Sequence, residues 1–99
     1  MIASGDVVAR LDSDRNLQVV VVSNDLHIAA RTGRVITCPF VPGPLTENAM
    51  SLVVRVEAGV VLPELVQWLP VSVLGEPTGN IGSRALEQVE TIITNLVRP

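Results

Sequence analysis

Ninety-nine residues with seven basic and ten acidic groups, and a formal charge of −3, read as a single domain spanning 1–99. Hydrophobic residues make up 47% of the chain, but Phe40 and Trp68 are the only aromatics, so the core has to be Val, Leu and Ile, which favours strands. No apolar stretch reaches the roughly 18 residues of a membrane span, the opening Met1-Ile2-Ala3-Ser4-Gly5 lacks the basic and apolar regions of a signal peptide, and the lone Cys38 excludes an internal disulfide, with no Cys/His spacing that suggests zinc.

Residues 6–10, DVVAR, read as a first strand. The polar LDSDRN that follows suits a hairpin connection, because Asp, Ser and Asn side chains bond to a turning backbone. Residues 17–22 hold four consecutive valines, and a strand that apolar has to be buried on both faces. Ser23 or Asn24 can cap a short helical segment from Asp25 to Arg31, which Thr32-Gly33 ends. RVITCPF alternates as a strand, with Val35, Thr37 and Pro39 on one face and Ile36, Cys38 and Phe40 on the other, the expected core face. Pro39 points to an edge or a strand terminus.

VPGPLTENA reads as a loop, since two prolines and a glycine remove donors and free the backbone. MSLVVRVE (50–57) and GVVL (59–62) read as strands joined by a tight turn at Ala58-Gly59. Pro63 opens a stretch with a short strand near 65–68 and an irregular turn around Pro70, and PTGNIG reads as a loop. From Ser83 on, Leu86, Val89, Ile92, Ile93 and Leu96 recur at the spacing of an amphipathic helix. Glu87 and Glu90 in its first half and Arg98 at its end complement the helix dipole. Five or so short strands and a terminal helix predict an α+β, mainly β fold: a small antiparallel barrel with the helix packed on it. A core this lean makes dimerisation a natural way to enlarge it.

All seven basic residues are Arg, from a GC-rich coding sequence or from a need for planar, always-charged forks. Residues 1–34 hold four of them, balanced by four Asp, whereas residues 35–99 carry the whole net charge of −3. Any anion-binding surface is therefore expected in the first third.

Three blocks carry a family resemblance. They are Gly5-Asp6-Val7-Val8, then Val21-Val22-Ser23-Asn24-Asp25, then GRVITCPFVPGPLTEN together with VQWLPVSVLGE (66–76). In this order and spacing they resemble the CcdB and MazF/PemK toxin superfamily of bacterial type II toxin–antitoxin modules, and RTGRVITCPF is similar to mycobacterial members. The resemblance covers nearly the whole chain. It implies an SH3-like barrel of about five to seven short strands, a symmetric homodimer and neutralisation by a cognate antitoxin; the lack of a membrane span, signal peptide and disulfide points to a cytoplasmic location. In MazF relatives it implies metal-independent cleavage of single-stranded RNA, with no cofactor; in CcdB relatives it implies poisoning of DNA gyrase by contact. A degenerate member that only pairs with its antitoxin is a third alternative.

The active parts of both branches are altered here. The basic loop of MazF chains, closed by Arg-Pro, shrinks to Leu11–Asn16 followed by Leu17-Gln18. Where those chains carry a catalytic Thr in a Pro-x-Thr setting, this chain has Pro39-Phe40-Val41, and valine has no hydroxyl. The Trp-Gly-Ile ending of CcdB chains is replaced by Val97-Arg98-Pro99. Whether the chain is an enzyme is thus left open by its residues.

Cleaving RNA through its own 2′-hydroxyl needs a proton acceptor, a proton donor and a cation or donors for the charge growing on phosphate. Arg15 is the candidate cation and Asp14 the candidate base; the alternative for both is a solvated hairpin tip. Arg10, Ser23, Asn24, Arg31 and Arg34 are candidate RNA contacts. For Ser23 and Asn24 the alternative is helix capping alone, and for Arg31 and Arg34 it is surface pairing with Asp25. His27 reads as facing outward or packing on the short helix, and Cys38 as an inert core thiol. Trp68 reads as a core or dimer anchor rather than a base-stacking platform, given how few aromatics the chain has.

Overall fold

The computed structural model describes residues 2–43 and 52–98. Most of the expected 41–49 loop and the first residues of the 50–57 strand lie outside the described residues.

The chain folds in the order β1 (Asp6–Arg10), β2 (Gln18–Val21), α1 (Asp25–Ala29), β3 (Arg34–Pro42), β4 (Val54–Val56), β5 (Gly59–Val61), β6 (Gln67–Pro70), β7 (Leu74–Asn80) and α2 (Gly82–Val97). The valine run behaves as its composition requires. Val20 and Val22 join Val7, Cys38, Phe40, Val54, Val61, Ala85 and Val89 in one core cluster. Val19 and Val21 join Val8, Val35, Leu69 and Leu74 in a second. Successive side chains of a strand point to opposite faces, so β2 divides its valines between two cores. Each such side chain, fully removed from water, contributes roughly 1.5–3 kcal/mol. α2 supplies Ala85 and Val89 to the first cluster, with Leu86, Ile92 and Ile93 partly buried beside it. Leu96, expected on that stripe, is exposed.

The expected SH3-like barrel is not formed. The strands make one antiparallel sheet in the order β4-β5-β3-β2-β1-β7, with β6 paired to β3 off that path. Among the described residues no ladder joins β7 back to β4 or β6, so the sheet is open. Edge chemistry accounts for this. Pro77 within β7 and Pro70 at the end of β6 have no backbone donor, the pattern of edge strands. The outer strand β4 is only three residues long. β3 is long enough to serve two partners on one side, with Arg34–Thr37 facing β6 and Phe40–Pro42 facing β5.

Four local expectations also change. Both faces of β3 are buried, with Val35 and Thr37 as enclosed as Cys38, because the second core needs them. α1 stops at Ala29 instead of reaching Arg31, whose φ of 53° turns the chain out of the helix. Pro63–Leu65 forms a 3-10 turn, which moves the following strand to 67–70. Most of PTGNIG is strand: Pro77, Gly79 and Asn80 pair with Val8, Val7 and Asp6, with register shifts that absorb the irregular residues.

Candidate functional site

The polar residues at the exit of β2 organise a corner of the molecule. Asn24 is the helix cap, its Oδ1 accepting the His27 N–H at 2.8 Å. Ser23 is buried beneath it and clasps three elements. Its Oγ accepts the Ile36 N–H of β3 at 2.7 Å and bonds His27 Nδ1 of α1 at 2.7 Å. A hydroxyl has one hydrogen and two lone pairs, so this oxygen holds the imidazole as acceptor or as donor. The His27 ring meets Trp68 edge-on, with centroids 5.3 Å apart and planes at 85°.

The turn from α1 into β3 is shaped by Arg31 at φ 53° and Gly33 at φ 85°. Thr32 Oγ1 donates to the Arg34 carbonyl at 3.1 Å and accepts the Arg34 N–H at 3.3 Å. The Gly33 carbonyl accepts the Val71 N–H at 2.8 Å. These bonds shape the two-residue step that separates Arg31 from Arg34.

Beside this turn lies a cavity of about 820 Å³. Ile2, Ile28, Val35 and Leu74 give it an apolar floor continuous with the second core, and Asp25, Arg31, Arg34 and Glu76 are exposed around it. A shallower depression adjoins it, lined by His27, Thr32, Arg34 and Trp68. Thr32 and Arg34 line both hollows. Trp68 is 59% exposed, so it is no part of the chain's own core.

The candidate residues from the sequence therefore separate into two groups. Arg31 and Arg34 stand together at the cavity, with Ser23 supporting the adjacent helix from within and Asn24 capping it at the surface. Arg10, Asp14 and Arg15 belong to the β1–β2 hairpin. Arg10 is gripped by Asp12 through two bonds of 3.0 and 2.9 Å, which hold the Asp12 carboxyl below and the guanidinium above their ordinary pKa ranges. As the ladder partner of Leu74, Arg10 shares a sheet face with a residue of the cavity floor. Asp14 and Arg15 are exposed at the hairpin tip and do not line the cavity; the Arg15 N–H donates to Ser13 Oγ at 3.2 Å.

The expected pairing of Asp25 with Arg31 or Arg34 is not made: among the described residues the ion pair is Arg10–Asp12. Cys38 is fully enclosed and its thiol is pushed up to about 12 by burial, an unreactive group as expected. No group of three or more His, Cys, Asp or Glu gathers among the described residues. None of their helices is long and apolar enough to cross a membrane. The sequence reading missed His27 and Trp68 as a pair, because only the β3–β6 register brings them together.

The family model described as type II toxin-antitoxin system toxin Rv0299 matches residues 5–96. The chain is 54% identical over 99 residues to Toxin Rv0299 of Mycobacterium tuberculosis (strain ATCC 25618 / H37Rv), covering 98% of this chain and 99% of that one. Among solved structures it is similar to an endoribonuclease in complex with its cognate antitoxin from Mycobacterial species, with a TM-score of 0.79, 18% identity and coverage of 100% and 98%. It is also similar to MazE-MazF (Form-II) from Deinococcus radiodurans, with a TM-score of 0.79, 18% identity and coverage of 97% and 94%. At such identity the two structures establish a shared fold and nothing of the chemistry.

Proposed function

The chain belongs to the Rv0299 family of type II toxins, within the MazF/PemK-like superfamily, and from that premise we propose that it arrests growth by cutting single-stranded RNA without a metal ion. The observation that carries this reading is the placement of Arg31 and Arg34 at the mouth of the cavity. Two exposed guanidinium groups carried on one short turn can offer paired donors to successive phosphates. In a water-poor site, one well-aimed donor at the reacting phosphate lowers the barrier by roughly 3–4 kcal/mol.

Arg10 would extend the phosphate path along the sheet, and Ser23 and Asn24 would act through the helix they hold. The hairpin tip would complete the site, with Arg15 as the cation and Asp14 as the acceptor of the 2′-hydroxyl proton. The proposal includes a homodimer and a cytoplasmic location, and it includes neutralisation by a cognate antitoxin, the last supported by the endoribonuclease of the same fold that is bound to its own antitoxin.

The test is incubation of the purified protein with end-labelled single-stranded RNA, with and without chelator. Discrete cleavage in both arms is expected. Intact RNA in both, with growth arrest retained in cells, would overturn RNA cleavage in favour of inhibition by contact with a target such as gyrase.

A further inference from the structure

Trp68 is the chain's only tryptophan and is 59% exposed on β6, a strand that among the described residues pairs with β3 alone. In that ladder Ile36 opposes Trp68 and Arg34 opposes Pro70, so Arg34 and Trp68 are diagonal neighbours on one face. Diagonal neighbours in an antiparallel ladder lie roughly 7–8 Å apart, within reach of an aromatic and an arginine side chain. His27 packs edge-on against the indole, and Ser23 in turn fixes the imidazole. The indole is therefore oriented by the protein while most of its surface is left to solvent. Thr32 and Arg34 complete the depression around it and also line the larger cavity.

We propose that Trp68, Arg34 and Thr32 form a nucleotide subsite, in which the indole stacks one base of single-stranded RNA and Arg34 takes the adjoining phosphate. The subsite rests on the RNA-cleavage reading and gives the strand a direction, from the Trp68 depression past Arg34 into the cavity. An aromatic face beside a neighbouring arginine on the same sheet face matches the two chemistries of a nucleotide, π-surface and anion. His27 is a positioning residue here: it sets the angle of the ring.

Because Trp68 is the sole tryptophan, its fluorescence reports on this subsite alone. The probe is a short 2′-O-methyl RNA of mixed sequence, which lacks the hydroxyl needed for cleavage. Saturable quenching is expected with the wild-type chain. Trp68→Ala should weaken binding about 10-fold or more, the scale of one lost base–aromatic stack, while Trp68→Phe restores most of it. Unfolding temperature and sedimentation of both variants should match the wild type.

Wild-type RNA cleavage with unquenched Trp68, or Trp68→Ala binding as tightly as wild type, would overturn the subsite alone. So would a Trp68→Ala chain that keeps its RNA affinity but loses self-association or antitoxin binding, since Trp68 would then be a protein contact. A wild-type chain that neither binds nor cuts RNA refutes the cleavage reading and this subsite with it.

Discussion

Ser23 concentrates the corner's architecture in one oxygen. Ser23→Ala leaves the Ile36 N–H without its 2.7 Å acceptor and frees the His27 ring. The expected loss of about 1–3 kcal/mol is to be read from denaturant unfolding. Arg15→Ala should abolish growth arrest without unfolding the protein, and arrest that survives removes Arg15 from the site. Cys38 gives a pH prediction. Its folded thiol keeps its proton to about 12, above the ordinary value of 9.0 at which the unfolded chain releases it. Stability is therefore complete below 9 and falls as pH rises toward 12, by at most about 1.4 kcal/mol per pH unit for one proton. The chain has no Lys and no Tyr, so Cys38 is the one side chain that titrates in that window. Cys38→Ala should flatten the alkaline slope measured by unfolding at successive pH values. The Asn24 cap was legible from residue type, since cap chemistry is local. The exposure of Trp68 was not, because a large apolar residue carries no mark of which side of an edge strand it occupies.

At the scale of elements, strands were legible where alternation or a valine run marked them, and the terminal helix where its stripe repeated. Their boundaries followed tertiary partners instead. Pro77, Gly79 and Asn80 have turn propensity, yet β1 recruits them as a strand. Asn80 then serves both structures, donating to Asp6 Oδ1 at 3.0 Å and accepting the Gly82 N–H at the start of α2 at 2.8 Å. The absence of barrel closure was beyond local pattern altogether, because strand signals specify segments and not which edges meet. β5 depends on Gly59 for a similar nonlocal reason. A Cβ there would run into the Val41 carbonyl oxygen and stand 2.8 Å from the Phe40 ring. Both obstacles belong to β3, so relief requires β5 to move away from its partner. Gly59→Ala should cost about 1–3 kcal/mol. For a domain of this size each kcal/mol lowers the midpoint of thermal unfolding by roughly 4–8 °C.

For the whole molecule, a net charge of −3 repels RNA at long range, so attraction has to come from a local cationic face. If Arg10, Arg31 and Arg34 each meet a phosphate, the logarithm of affinity should fall with the logarithm of salt at a slope of about −2. Arg34→Ala should reduce that slope by about 0.7, measured by titration at several salt concentrations. The valine run has another consequence. A strand of identical residues has no internal address: moved by one position, it still fills both interiors with valine, so the usual penalty for misalignment is muted. Its location must be assigned from its ends, by the Arg10 N–H bond to the Leu17 carbonyl before it and the Ser23 bonds after it. Deleting Ser13 from the hairpin would set those two anchors against each other. The expected outcome is a chain that settles one notch over, compact but less heat-resistant for want of the Ser23 bonds, with the corner around Ser23 assembled from the wrong neighbours.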